Sequence, residues 1–509
     1  MDWMAASFSD SLIVRIDCAR SRRDFRQSLL ETLSMRHKQK RLKSDVPGLD
    51  PVLGGGLIEG AAYIVQGRPG AGKTILANQI AFAQARQGGR VLYVTLLAES
   101  HDRLFQSLSM LTFYDAEMVG REMTYLSLLR TLRTDGLGAL VELLRREIAR
   151  RGTTMLVLDG LLIAQESAYS SLDVKAFVAE LQGHASFSAC TVLFLTSGRI
   201  DESSPEHTMV DGVLQLEEEL SGSRTVRRLR VSKSRGSASL GGLHYYQIHD
   251  SGITVFPRLE SFYGRPVGED HAPQNRISSG LEELDLRIKG GLPVNSATAV
   301  VGPGGSGKTS FGLNFLRLAT PEAPGLHFGF YETPARLASK ARALGINLDA
   351  LVASGAVTVL WNPLTENVID SLAYQLLDAV QARGVRRLVI DGLAGFERAS
   401  ADAFRITEFL AALTNQLRVM DVTIVCTWEM KELSASSLNA ATPAALSLFD
   451  NVIGMQLEEA EDALYQGMKV VKIRDSAFAP AITKLIMPDT IHGSHIGDPG
   501  PVATGKPTS

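Results

Sequence analysis

The chain has 509 residues, 45% apolar and 21% charged, an ordinary globular composition with length for about two to four domains. No apolar run reaches the roughly 18 residues of a membrane-spanning helix, which excludes an integral helical membrane protein. Net charge is −3, but residues 1–43 hold ten Lys/Arg against five Asp/Glu; the rest stands at −8, unlike the basic body of a nucleic-acid-coating enzyme.

In chain order, the N-terminus shows no secretory signal, because its apolar cluster SLIVRI is too short. Residues 1–43 read as a basic extension, with a helix over 19–43 carrying Phe25, Leu29, Leu30 and Leu33 on one side, and with Met35 as an alternative start. Next, AAYIVQ, RVLYVTL, MLVLD and CTVLFLT are apolar runs of strand length, separated by helical patterns such as TILANQIAFAQARQ and LGALVELLRREIARR. Continuous apolar strands alternating with helices predict a parallel sheet covered on both faces. Segments 210–217, 224–234 and YYQIHDSGITVF predict an antiparallel extension of that sheet.

The second half repeats the first. VPGLDPVLGGGLIEGAAYIVQGRPGAGKT is echoed by SSGLEELDLRIKGGLPVNSATAVVGPGGSGKT, and four further landmarks follow in the same order; Lys73 and Lys308 are 235 residues apart, Asp159 and Asp391 232, Arg235 and Arg474 239. Near-constant spacing means a tandem duplication. The expected organisation is a first domain at 44–262, a proline-bearing linker at 263–275, a second domain at 276–488, and a tail at 489–509 too polar to order itself. Cys18, Cys190 and Cys426 have no metal-like spacing, and a reducing cytoplasm suits them better than a disulfide framework.

GRPGAGKT (67–74) and GPGGSGKT (302–309) each follow an apolar strand and open a helix, the context of a phosphate-binding loop. Gly67, Gly70 and Gly72, with Gly302, Gly304 and Gly307, let backbone N–H groups curl around phosphate oxygens. Lys73 and Lys308 reach the β- and γ-phosphates of ATP, and Thr74 and Thr309 offer hydroxyls to Mg2+. Asp159 and Asp391 end apolar strands at the carboxyl edge of each sheet, where a carboxylate holds the magnesium's water shell.

With the PGLDPVLGGGL and SGLEELDLRIKGGL segments, both phosphate loops, the Asp-terminated strands and RRLRVSKSRGSASLGGLHYYQIHDSGITVFPR, the chain resembles the KaiC family of double-domain ATPases from bacterial clocks over about 44–488. The resemblance implies an α/β fold of two tandem RecA-like P-loop NTPase domains, each a mostly parallel sheet flanked by helices with an antiparallel hairpin extension. It also implies homohexameric rings with ATP between neighbours, and protein partners that are KaiB-like or otherwise signalling; the composition itself carries no strong nucleic-acid signal and no membrane span. It assigns Lys233 and Arg235, and Lys472 and Arg474, as trans-acting phosphate contacts, because a fixed cation from a neighbour stabilises the transferring phosphoryl group.

Three departures qualify the resemblance. Where the family has adjacent glutamates after the second core strand, this chain reads Leu97-Ala98-Glu99-Ser100 and Phe330-Tyr331-Glu332-Thr333, leaving Glu99 and Glu332 as candidate bases. Arg474 is followed by Asp475 instead of Gly. In the stretch resembling the family's self-phosphorylated pair, only Ser447 can accept phosphate, since its neighbour is Leu446. The expectation is a slow Mg-ATPase with Ser/Thr self-phosphorylation as an open activity; the alternative is an ATP-gated scaffold with little turnover. A DNA motor on the same core is disfavoured by the acidic body.

Overall fold

The computed structural model describes residues 40–98, 101–166, 171–198, 205–264, 275–365, 367–430, 444–460, 463–474 and 482–484. The N-terminal extension up to residue 39, Glu99, Asp475 and the tail lie outside the described residues. The chain divides into two compact units: one runs to Glu219 and resumes over Arg227–Pro257, the other takes Leu220–Val226 and everything from Arg258.

In the first unit, the apolar runs form β1 (Ala62–Gly67), β2 (Val91–Thr95), β3 (Met123–Ser127), β4 (Met155–Asp159) and β5 (Thr191–Thr196). Then come β6 (Gly212–Ser221), β7 (Arg224–Ser234), β8 (His244–His249) and β9 (Gly252–Phe256). The nine-stranded sheet has the order β9-β8-β7-β6-β1-β5-β4-β2-β3. It is parallel from β6 through β1 to β3, and antiparallel over β7, β8 and β9. Two apolar cores cover its faces. One holds Tyr63, Val65, Phe82 and Tyr93; the other holds Ile64, Val94, Phe177 and Phe194, so successive residues of one strand serve opposite cores. Helix α1 (Lys73–Arg86) belongs to the first core, while α2 (Leu129–Arg151) and α3 (Ser171–Ser188) feed the second. The helix expected at 137–151 is the second part of α2, which kinks at Gly136 (φ 79°, ψ −177°) and ends at Gly152 in the left-handed region.

The second unit repeats this plan. Its strands are β10 (Ala297–Gly302), β11 (Gly325–Gly329), β12 (Val357–Trp361), β13 (Arg387–Asp391), β14 (Thr423–Glu429), β15 (Asn451–Ala460), β16 (Ala463–Ile473) and β17 (Ile482–Lys484). They run in the order β12-β11-β13-β14-β10-β15-β16-β17, parallel as far as β15 and antiparallel beyond. Helix α4 (Leu259–Tyr263) packs in this unit, beside α5 (Lys308–Leu316), α6 (Pro334–Ala343), α7 (Ile369–Arg383), α8 (Ala394–Ala399) and α9 (Ile406–Val419). Phe328, Phe330, Phe396 and Phe409 form a chain of ring contacts with centroids 5.4–5.9 Å apart. The two described tryptophans are both here: Trp361 ends β12 and bonds the Phe330 carbonyl, and Trp428 is buried near the end of β14. These sheets are the tandem RecA-like α/β architecture, and among the described residues no helix is long and apolar enough to cross a membrane.

Candidate nucleotide-binding sites

Each phosphate loop joins a central strand to a helix N-terminus. Gly70 and Gly72 have φ of 86° and 89°, and Gly305 and Gly307 of 79° and 92°, values that a side-chain-bearing residue adopts only with strain. Gly305, rather than Gly304, is the conformational counterpart of Gly70. Helices α1 and α5 start directly on Gly72 and Gly307, so their first N–H groups and positive dipole ends face the loop.

The lysines are anchored alike. Lys73 Nζ donates to the Gly67 and Arg68 carbonyls at 2.8 and 3.0 Å; Lys308 Nζ donates to those of Gly302 and Pro303 at 2.9 and 2.6 Å. Burial lowers both ammonium pKa values from the ordinary 10.5, an effect opposed by Asp159 at Lys73 and by Glu429 and Asp391 at Lys308.

Beside each loop, a threonine and an aspartate meet. Thr74 Oγ1 donates to Asp159 Oδ2 at 3.3 Å, and Thr309 Oγ1 to Asp391 Oδ1 at 3.4 Å. Strand register explains the juxtaposition, since β4 and β13 carry their aspartates to the sheet's carboxyl edge, opposite Thr95 and Gly329. A hydroxyl and a carboxylate oxygen form the hard donor set suited to Mg2+. Among the described residues no group of three His, Cys, Asp or Glu could hold a metal, so Mg2+ would need phosphate and water oxygens to complete its shell.

Partners of the aspartates differ between the halves in ways the motifs did not reveal. Tyr93 OH donates to Asp159 Oδ2 at 2.8 Å; at the corresponding place in β11 stands His327, buried, with Nε2 3.6 Å from Asp391 Oδ2. Thr427 Oγ1 donates to Asp391 Oδ1 at 2.6 Å, where the first half has Leu195. Laying β2 against β11 and β5 against β14 in the sequence was the signal that could have found them.

The candidate bases are not equivalent. Because Thr95 and Gly329 occupy the same register, Glu332 corresponds to Ala98, and Glu99 falls one position further, at Thr333. Glu99 lies outside the described residues, while Glu332 Oε1 is paired with the Lys340 ammonium. Tyr331 packs over Gly392, as Leu97 does over Gly160.

The hairpin cations sit on their own chain's turns. Lys233 Nζ donates to the His207 and Thr208 carbonyls at 2.7 and 2.8 Å, and Arg235 donates to Thr208 at 2.9 Å. Lys472 Nζ donates to the Phe449 carbonyl at 2.7 Å, and Arg474 to Asp450 Oδ1 at 3.1 Å. Burial, reinforced by the adjacent arginine, lowers both lysine pKa values. Ser447 is exposed on the 3-10 turn Ala444–Leu448, and its carbonyl lies 3.4 Å from Lys472 Nζ.

Comparison with known proteins fits this geometry. The "Circadian clock oscillator protein KaiC" of a Picosynechococcus species is 24% identical over 455 residues, covering 86% of each chain. That of Thermostichus vulcanus is 24% identical over 480 residues, covering 90% of this chain and 89% of the relative. The "Circadian clock protein KaiC3" of a Synechocystis species is 24% identical over 490 residues, covering 92% and 93%. The family described as "ATPase: KaiC" matches residues 42–260 and again 277–492, one match on each phosphate loop. The chain therefore belongs to the KaiC ATPase family.

Proposed function

We propose that this protein binds Mg-ATP at both phosphate loops and hydrolyses it slowly within a homohexameric ring, the first half carrying most of the turnover, to signal to protein partners of the KaiB-like or signalling class. The observation that carries this reading is the duplicated constellation of looped-back lysine, left-handed glycines and Thr–Asp pair, at 3.3 Å in one half and 3.4 Å in the other. Bound Mg2+ would supply charge neutralisation between the β- and γ-phosphates. Lys73 and Lys308 exchange their carbonyl partners for phosphate oxygens, a bond between two opposite charges replacing one between a charge and a neutral carbonyl. Thr74 with Asp159, and Thr309 with Asp391, are the pairs that would hold the cation and orient its water. Glu99 and Glu332 are the bases proposed from sequence, and Lys233, Arg235, Lys472 and Arg474 the cations offered to a neighbour's nucleotide. Ser447 is the residue open to self-phosphorylation.

A second reading, an ATP-gated scaffold with little turnover, is favoured by exposed Ala98 and by the Lys340 pairing of Glu332. The deciding measurement is ADP production beside the Lys73→Ala and Lys308→Ala variants, with assembly followed by gel filtration. The ATPase reading expects turnover to fall at least about tenfold with Lys73→Ala. ATP-dependent hexamers without turnover in any form would establish the scaffold.

A further inference from the structure

The sequence motifs left Glu429 unassigned, yet the second sheet delivers it to the nucleotide site. Strand β14 lies between β13, which carries Asp391, and β10, which leads into the phosphate loop, and the register sets Glu429 opposite Gly302, the loop's first glycine. Thr427 faces the site, because its hydroxyl bonds Asp391 Oδ1 at 2.6 Å and accepts from the Gly392 amide at 2.8 Å. Strand side chains alternate, so Glu429, two residues on, shares that face one step further out. Its carboxylate lies along the loop, with Oε1 3.3 Å from where a Cβ on Gly304 would stand. Glu429 is exposed at the loop, and of the two carboxylates acting on the Lys308 ammonium it is the stronger. In the first half, Gln66 pairs with Thr196, so the residue in this place is Ser197.

The other acid of this site is already engaged: Glu332 is paired with the Lys340 ammonium, and its neighbour Tyr331, over Gly392, cannot serve as a carboxylate base. We propose that Glu429 is the catalytic base of the second site, polarising the nucleophile from its own chain. The inference rests on the reading that the second site transfers phosphoryl groups. In that step the nucleophile's oxygen, from water or an acceptor hydroxyl, bonds to the γ-phosphorus. The bond from phosphorus to the β–γ bridging oxygen breaks, its electron pair leaving with ADP. The nucleophile's proton passes to the Glu429 carboxylate.

The test uses the full chain with the first site silenced by Lys73→Ala, adding Glu429→Gln, Glu332→Gln or Lys308→Ala to it. ADP production is measured beside equilibrium binding of Mg-ATP. The expected result is that Glu429→Gln cuts turnover about a hundredfold, toward the Lys308→Ala baseline, while one ATP per chain still binds, and that Glu332→Gln has the smaller effect. Parental turnover in the Glu429→Gln protein, or loss of bound ATP along with turnover, would overturn the assignment and leave second-site hydrolysis intact. A Lys73→Ala parent no faster than its Lys308→Ala derivative would show that the second site does not hydrolyse, and both the reading and the role of Glu429 would fall.

Discussion

Gly67 occupies the junction of β1 and the first phosphate loop, where a Cβ would lie 2.5 Å from the Leu216 carbonyl oxygen and 3.1 Å from the Leu216 Cβ. That carbonyl belongs to β6, which is paired to β1 through Gly67 itself, so it has nowhere to retreat. Gly67→Ala should push the loop off its phosphate-binding conformation and weaken first-site ATP binding by about tenfold or more, with the second site unchanged. Equilibrium binding falling from two nucleotides per chain to one, at a concentration saturating the wild type, is the readout. The loop was legible in the sequence because its constraints lie within eight consecutive residues. The partners of the two aspartates were not, because Tyr93, His327 and Thr427 reach them across neighbouring strands, from places no short motif spans. A motif reading picks Gly304 in place of Gly305 because two glycines stand side by side in the second loop; the 235-residue offset that relates Lys73 to Lys308 already sets Gly70 against Gly305, whose φ is left-handed.

Among the elements, α4 has the most demanding attachment. Arg405, almost buried, donates to both Glu260 oxygens at 2.6 and 2.8 Å and to both Asp370 oxygens at 3.1 and 2.7 Å, while the Leu259 amide donates to Asp370 Oδ1 at 3.0 Å. Desolvating three charges is costly, and only the full set of bonds offsets it. Arg405→Ala strands a fully buried Asp370 and should cost about 3–5 kcal/mol, seen as a lower urea midpoint of the second unit. The pH dependence follows from two opposed groups. Burial alone would raise the Glu260 carboxyl, but the bonds and charge of Arg405 outweigh it and hold it below its ordinary 4.5. Its stabilisation is therefore complete above about pH 4.5 and is lost as pH falls through the lower folded value. Asp370, pushed above its ordinary 3.8 by burial, has the opposite sign: its cost is present at neutral pH and is relieved by acid. Glu260→Gln should thus flatten the loss of urea resistance below pH 4.5. Neither α4 nor its clamp was legible in the sequence, where all but the last residue of LESFY falls at the end of the expected first domain; the pairing spans 145 residues.

At the scale of the molecule, duplication made the fold readable. Two apolar-strand patterns with matched spacing predicted two parallel sheets with hairpin extensions, and both are present, down to the order of strands around β1 and β10. In the proposed ring, mixing variants tests whether Lys233 and Arg235 act on a neighbouring subunit. With the second site silenced in both partners by Lys308→Ala, Arg235→Ala should retain first-site ATP binding and lose turnover by about a thousandfold, the scale of a transferred arginine. Combined with Lys73→Ala, which binds no nucleotide at its first site but keeps its hairpin, part of the activity should return. Two inactive proteins that stay inactive when reassembled together would place both functions within one chain.

Trp361 ends β12 and Trp428 stands one residue before the end of β14, next to Glu429, both toward the carboxyl edge of the second sheet, whereas the described part of the first unit contains no tryptophan. The duplicated protein is thus optically lopsided. Indole emission from Trp428, paired with Val301 on the strand that leads into the second loop, reports on the neighbourhood of Lys308; Trp3 lies outside the described residues. Among the described residues, the second of two otherwise similar nucleotide sites alone thus carries its own optical label, without any attached dye.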